Sequence, residues 1–186
     1  MTKKYKHVDF LWKKNEADAL GDNQLELFLY RSNILGADLR ITNYGGGNTS
    51  CKTIEKDPLT NEDVEVMWVK GSGGDIGTLN RAGIAGLYTG RLRDLKNVYG
   101  GLEDEDRMVG LFNHCIYDLD SKAPSIDTPL HGLLPFAHID HLHPDALIAV
   151  AAAENSEQVT KEIWGDTMGW VPWKKPGFEL GLMLEK

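Results

Sequence analysis

Two runs, residues 49–56 and 64–70, have the β-branched and aromatic content of strands, and Asp57-Pro58-Leu59-Thr60-Asn61 between them is turn chemistry. Val64, Val66 and Trp68 fall on one face of the second run, as in a half-buried strand. The hairpin this predicts constrains the chain more than any other feature, because antiparallel pairing fixes where the flanking segments lie. Tyr44-Gly45-Gly46-Gly47-Asn48-Thr49-Ser50 enters the first strand and Val69-Lys70-Gly71-Ser72-Gly73-Gly74-Asp75 leaves the second. Both glycine loops must then meet at one end of the sheet.

Helical spacing of Leu25, Phe28, Leu29 and Leu35 predicts a helix capped by Asp22 and closed by Gly36 in a left-handed turn. Further helical patterns cover 84–96, 104–117 and 125–134, the last stopped by Pro135. A strand is expected over 137–143, then a small-residue helix from Pro144 to Ala153 and another from Ser156 to Trp164. A last helical pattern starts at Pro176 and runs to Lys186 without a C-terminal cap. Strands interleaved with helices, one hairpin among them, indicate a layered α/β fold with a mixed sheet.

At 186 residues the chain reads as one domain with a core large enough to need no disulfide or metal for stability alone. Twenty Lys and Arg against 28 Asp and Glu leave a formal charge of −8, which disfavours a broad nucleic-acid surface. The basic start at Lys3, Lys4 and Lys6 lacks the apolar stretch of a signal peptide, and the longest apolar run, Ala146 to Ala153, is far short of the roughly 20 residues of a membrane span. A cytoplasmic protein without nucleic-acid or membrane partners is the expectation. Cys51 and Cys115 lack a metal-type CxxC neighbour and read as buried apolar residues.

Four segments can carry chemistry. Glycine loops expose inward-turned N–H groups that suit an anion, and Lys70 and Ser72 would add a cation and a hydroxyl. In His138-Ile139-Asp140-His141-Leu142-His143, His141 and His143 stand two apart on a predicted strand, so their rings share a face about 6–7 Å apart at Cα. One divalent metal can be reached by both, whereas His138 alternates to the other face. In Pro124-Ser125-Ile126-Asp127-Thr128-Pro129-Leu130-His131, Asp127 falls in the first turn of a helix, where a carboxylate also suits the dipole.

The order of these elements resembles the class II aldolase/adducin family: a Gly-Asn-x-Ser loop, a strand into a Ser-Gly loop, a Pro-Ser-x-carboxylate helix start, and His-x-His before a small-residue helix. Pro124 to His131, with Val171-Pro172-Trp173 to Leu180, is most similar to the N-terminal part of bifunctional rhamnulose-1-phosphate aldolase/alcohol dehydrogenases. The resemblance spans about residue 23 to the end. It implies an α/β/α fold around a largely antiparallel sheet.

By the same resemblance Asn48, Ser72, Gly73 and Ser125 match substrate phosphate-binding positions, His141 and His143 match two zinc ligands, and Asp127 matches the catalytic acid/base. The family usually carries Glu where Asp127 stands, and simpler aldolases carry a second Ser where Ile126 stands. Its third zinc His and a late catalytic Tyr would fall beyond Lys186. The chain is therefore expected to be the front part of a longer product, with NAD bound only by a dehydrogenase domain outside it, and to be nearly inactive alone. The implied reaction is cleavage of a ketose 1-phosphate, L-rhamnulose 1-phosphate, to dihydroxyacetone phosphate and L-lactaldehyde, with Zn²⁺ or another divalent metal. A sugar-phosphate epimerase or dehydratase, or a non-catalytic adducin-like module, are the alternatives. Relatives form tetramers, so a homo-oligomer is implied too.

Overall fold

The structure is a computed structural model that describes residues 10–186. The basic start at Lys3, Lys4 and Lys6 lies outside them. Helices α1 (Lys14–Asp18) and α2 (Gln24–Gly36) precede strands β1 (Asn48–Lys56), β2 (Asp63–Lys70) and β3 (Ile84–Tyr88). Helices α3 (Thr89–Asp94), α4 (Glu105–Leu111) and α5 (Thr128–Gly132) follow, then strand β4 (His138–His141) and helices α6 (Asp145–Ala151), α7 (Ser156–Trp164) and α8 (Phe178–Glu185). The strands form one sheet in the order β3-β2-β1-β4, and every ladder is antiparallel.

Strand alternation divides the core. Cys51, Val66, Trp68 and Ile84 pack with Phe28 and Leu29 of α2 on one face. Met67, Val69, Ala85 and Leu87 pack on the other with Leu92 of α3, Met108 of α4 and Phe178 of α8. Helices on both faces of the sheet give the expected α/β/α layering, but the sheet expected to be mixed has only antiparallel ladders among the described residues.

The expected hairpin is present, with Ser50 opposite Val69 and Lys56 opposite Asp63. Asp57 Oδ1 accepts from the N–H groups of Leu59 and Thr60 to close its turn. The helix expected over 84–96 is corrected: its first five residues are β3, because Ile84 enters one core layer while Ala85 and Leu87 enter the other. A short apolar run satisfies either period, and pairing with β2 decides it. The cap of α2 is Asn23, not Asp22; its side chain accepts from Leu25 and Glu26 N–H. Gly36 is still helical rather than left-handed. Its missing side chain serves close packing, since a Cβ there would lie 2.1 Å from Gly77 N.

The pattern over 104–117 breaks into α4 and a 3-10 turn at Phe112–Cys115, and that over 125–134 shortens to α5. Ser156 does not cap α7; its Oγ accepts from Trp170 Nε1. Helix α8 is held at its start by buried Glu105, whose carboxylate accepts from the N–H groups of Phe178 and Glu179, each at 2.8 Å. Cys51 and Cys115 are buried free thiols, and burial pushes them up to about 12 and about 11. No helix among the described residues is long and apolar enough to cross a membrane.

Candidate functional site

Strand β4 exists as a paired strand because its outer face is anchored. Arg31 of α2 donates to Asp140 Oδ1 at 3.1 Å and to the Ser50 carbonyl at 2.6 Å, and its Nη1 lies 2.7 Å from His138 Nδ1. His138 is thus on the α2 side, as alternation requires. His141 lies on the opposite face, directly across from Asn48 of β1. His143 follows just after the strand, and the two Nε2 atoms stand 2.9 Å apart with ring centroids at 4.8 Å.

That convergence fits a shared cation. Two imidazole nitrogens at tetrahedral zinc distances are separated by about 3.3 Å. Burial, the largest influence, pushes His141 below its ordinary value, opposed by the charge of Asp127 and reinforced by His143. The neutral, metal-binding form is favoured. Among the described residues no group of three His, Cys, Asp or Glu is placed to hold a metal.

The first glycine loop abuts the pair. A Cβ on Gly46 would lie 3.1 Å from His143 Nδ1, and one on Gly47 would lie 2.6 Å from the His141 carbonyl oxygen. The two loops meet as the hairpin requires: Gly45 N–H donates to Asp75 Oδ1 at 2.8 Å, while Asp75 Oδ2 accepts from Gly77 N–H at 2.9 Å. Asn48 is buried, and its Nδ2 donates to the Lys70 carbonyl at 3.2 Å, so its amide straps the loops together. Ser72 and Gly73 lie on the exposed rim.

The second loop meets the segment carrying Asp127. Gly71 bridges Pro124, and Ser72 N–H donates to the Ala123 carbonyl at 2.9 Å. Asp127 occupies the N-cap position of α5 rather than its first turn, and its side chain makes no capping bond. Ser125 Oγ accepts from Asp127 N–H at 3.2 Å and lies 3.3 Å from Asp127 Oδ2. Lys70 is buried along most of its side chain, and that burial lowers its pKa against the raising charge of Asp127.

Ser125, Asp127, Lys70, both glycine loops and the two histidines therefore surround one end of the sheet. Asp75 and His131 were not anticipated. His131 is fully buried under β1, its Nδ1 2.8 Å from Ser50 Oγ, and burial pushes it down to about 3. The only sequence signal for either was its place inside a chemistry-bearing segment.

The fold and the His-x-His end of its sheet define a class. Residues 29–186 match the class II aldolase and adducin N-terminal domain, and the chain belongs to that family. It is 41% identical over 177 residues to "Uncharacterized oxidoreductase YuxG" of Bacillus subtilis (strain 168), a match covering 95% of this chain and 25% of that protein. The chain thus spans a quarter of that relative. The N-terminal class II aldolase domain of a conserved protein from Thermoplasma acidophilum has the same fold, with a TM-score of 0.75 at 24% identity over 100% of this chain and 79% of that one.

Proposed function

We propose that this domain is the aldolase part of a metal-dependent lyase that cleaves a ketose 1-phosphate, L-rhamnulose 1-phosphate being the substrate the family resemblance implies. The observation that carries the reading is the approach of His141 and His143 Nε2 to 2.9 Å beside Asp127 and the joined glycine loops. His141 and His143 would hold the divalent cation, Zn²⁺ by donor chemistry. Such a cation, when bound, polarises a ketone and offsets charge developing on its oxygen.

The chain's own residues do the rest. Ser72, Gly73 and Ser125 bind the phosphate, Lys70 supplies the charge, and Asn48 keeps the two loops at a fixed separation. Holding the phosphate fixes the C3–C4 bond against the histidine pair, which turns remote binding into orientation. When that bond breaks, C4 becomes the aldehyde as its hydroxyl gives up a proton to solvent, the carbon retaining the electron pair takes a proton from the Asp127 carboxyl, and Asp127 is reprotonated from solvent, so no net proton is gained or lost. Its hydrogen bond with Ser125 fixes the direction of delivery. The oxidoreductase name of the Bacillus subtilis relative supports reading the whole protein as an aldolase part joined to an NAD-dependent dehydrogenase part.

The test is release of dihydroxyacetone phosphate from L-rhamnulose 1-phosphate with added Zn²⁺, in a full-length protein carrying this domain. Turnover that Asp127→Asn lowers by roughly 10²–10⁴-fold is expected. Sugar-phosphate turnover without dihydroxyacetone phosphate release would point to an epimerase or dehydratase and overturn the lyase reading.

A further inference from the structure

Among the polar atoms buried without a partner on this side of the molecule are Asn48 Oδ1, His131 Nε2 and His141 Nδ1, with Thr42 Oγ1 beside Gly47. The first and third share a face by construction of the sheet, and His131 reaches that face through Ser50. Asn48 and His141 are directly opposite across the β1–β4 ladder, so their side chains leave the same face. Ser50, two residues along β1, projects from that face as well and is bonded to His131. His131 and His141 are also close enough for charge on one to disfavour charge on the other.

The Asn48 roles are fixed by its bond to Lys70, and those of the two histidines follow from their tautomers. Asn48 Nδ2 is used on the Lys70 carbonyl, which fixes the amide and leaves Oδ1 as an acceptor. If His141 offers Nε2 to a metal, its Nδ1 must carry the hydrogen and needs an acceptor, since a buried donor left unpaired is destabilising. If His131 Nδ1–H donates to Ser50 Oγ, its Nε2 is a second acceptor. One donor then faces two acceptors. A single buried water would balance them by accepting from His141 Nδ1–H and donating to Asn48 Oδ1 and His131 Nε2, three bonds being usual for such a water.

We propose that His131, with Asn48, is a positioning residue: through this water it holds His141 in the Nδ1–H tautomer that presents Nε2 to the metal. The inference rests on the metal reading above and adds a role for a histidine that touches neither metal nor substrate. Outer partners of this kind are worth roughly 10–100-fold in metal affinity.

The experiment has two arms on the 186-residue protein. Nitrogen-15 NMR of the imidazoles at neutral pH is expected to show Nδ1–H on both His131 and His141, with Zn²⁺ and without it. An Nε2–H tautomer on His131 overturns the proposal, whether or not zinc binds. In the second arm, Zn²⁺ affinity measured by chelator competition is expected to fall roughly 10–100-fold in His131→Phe and to recover to within a few-fold of wild type in His131→Gln, whose amide offers an acceptor. Unchanged affinity in a folded His131→Phe also overturns it. A wild-type protein that binds no Zn²⁺ refutes the metal reading instead, and the tautomers still decide this inference. The tautomers decide it too if His131→Phe does not fold.

Discussion

Gly45 donates its backbone N–H to Asp75 Oδ1 at 2.8 Å, joining two glycine loops that stand 30 residues apart in the chain. The same carboxylate accepts from Gly77 through Oδ2, and it is buried. Asp75 is the clasp of the glycine-loop end of the sheet, and it makes no contact with substrate in the proposed reaction.

Asp75→Ala leaves two backbone donors without their acceptor, at a cost of about 1–3 kcal/mol. Its expected signature is weaker binding of phosphate-bearing ligands with Zn²⁺ affinity nearly unchanged, because the histidine pair is held from the β4 side by Arg31. Isothermal titration of the variant with dihydroxyacetone phosphate and with Zn²⁺ reads both effects. Equal losses in the two would show that the loops and the metal pair are not separable.

Gly47 is left-handed at φ 77°, and a Cβ there would come within 2.6 Å of the His141 carbonyl oxygen. Gly47→Ala combines backbone strain with a clash against β4, so a loss of about 1–3 kcal/mol is expected. Urea denaturation checks the magnitude. Since the clash falls on His141, a ligand in the proposed site, Zn²⁺ affinity should drop as well.

His131 sets a pH dependence of stability. Burial lowers its folded-state value from 6.5 to about 3, so between those values the unfolded chain binds a proton that the folded chain does not. Its contribution is fully present above pH 6.5 and is lost as pH falls toward 3, with a limiting slope of about 1.4 kcal/mol per pH unit. His138 and His141 are also lowered by burial and act with the same sign. The measurement is therefore a difference: urea midpoints between pH 7.5 and 5 should fall more steeply for wild type than for His131→Gln. Parallel curves would remove His131 from the account.

How much of this was legible in the sequence depends on the range of the interaction. The hairpin and the meeting of both glycine loops follow from strand patterning and antiparallel pairing, and Gly45 to Asp75 shows them joined. The histidine pair was legible for the same reason, although His143 lies past the strand end rather than within it. Residues 84–88 were misread because an apolar run buried on both faces carries no period of its own. Asp75 and His131 went unseen because each role is created by a partner distant in sequence, Gly45 and Ser50, and no local spacing announces it. Asp22 gave way to Asn23 at a position where neighbouring residues are equally good caps.

The central claim is that His141 and His143 together hold one divalent ion. Co²⁺ and Zn²⁺ titration of the 186-residue protein, alongside His141→Ala and His143→Ala, tests it most directly. The account predicts one ion per chain in wild type, visible in the Co²⁺ absorption spectrum, and loss of that ion in either variant. Binding that neither substitution weakens, or no binding by wild type, would contradict it.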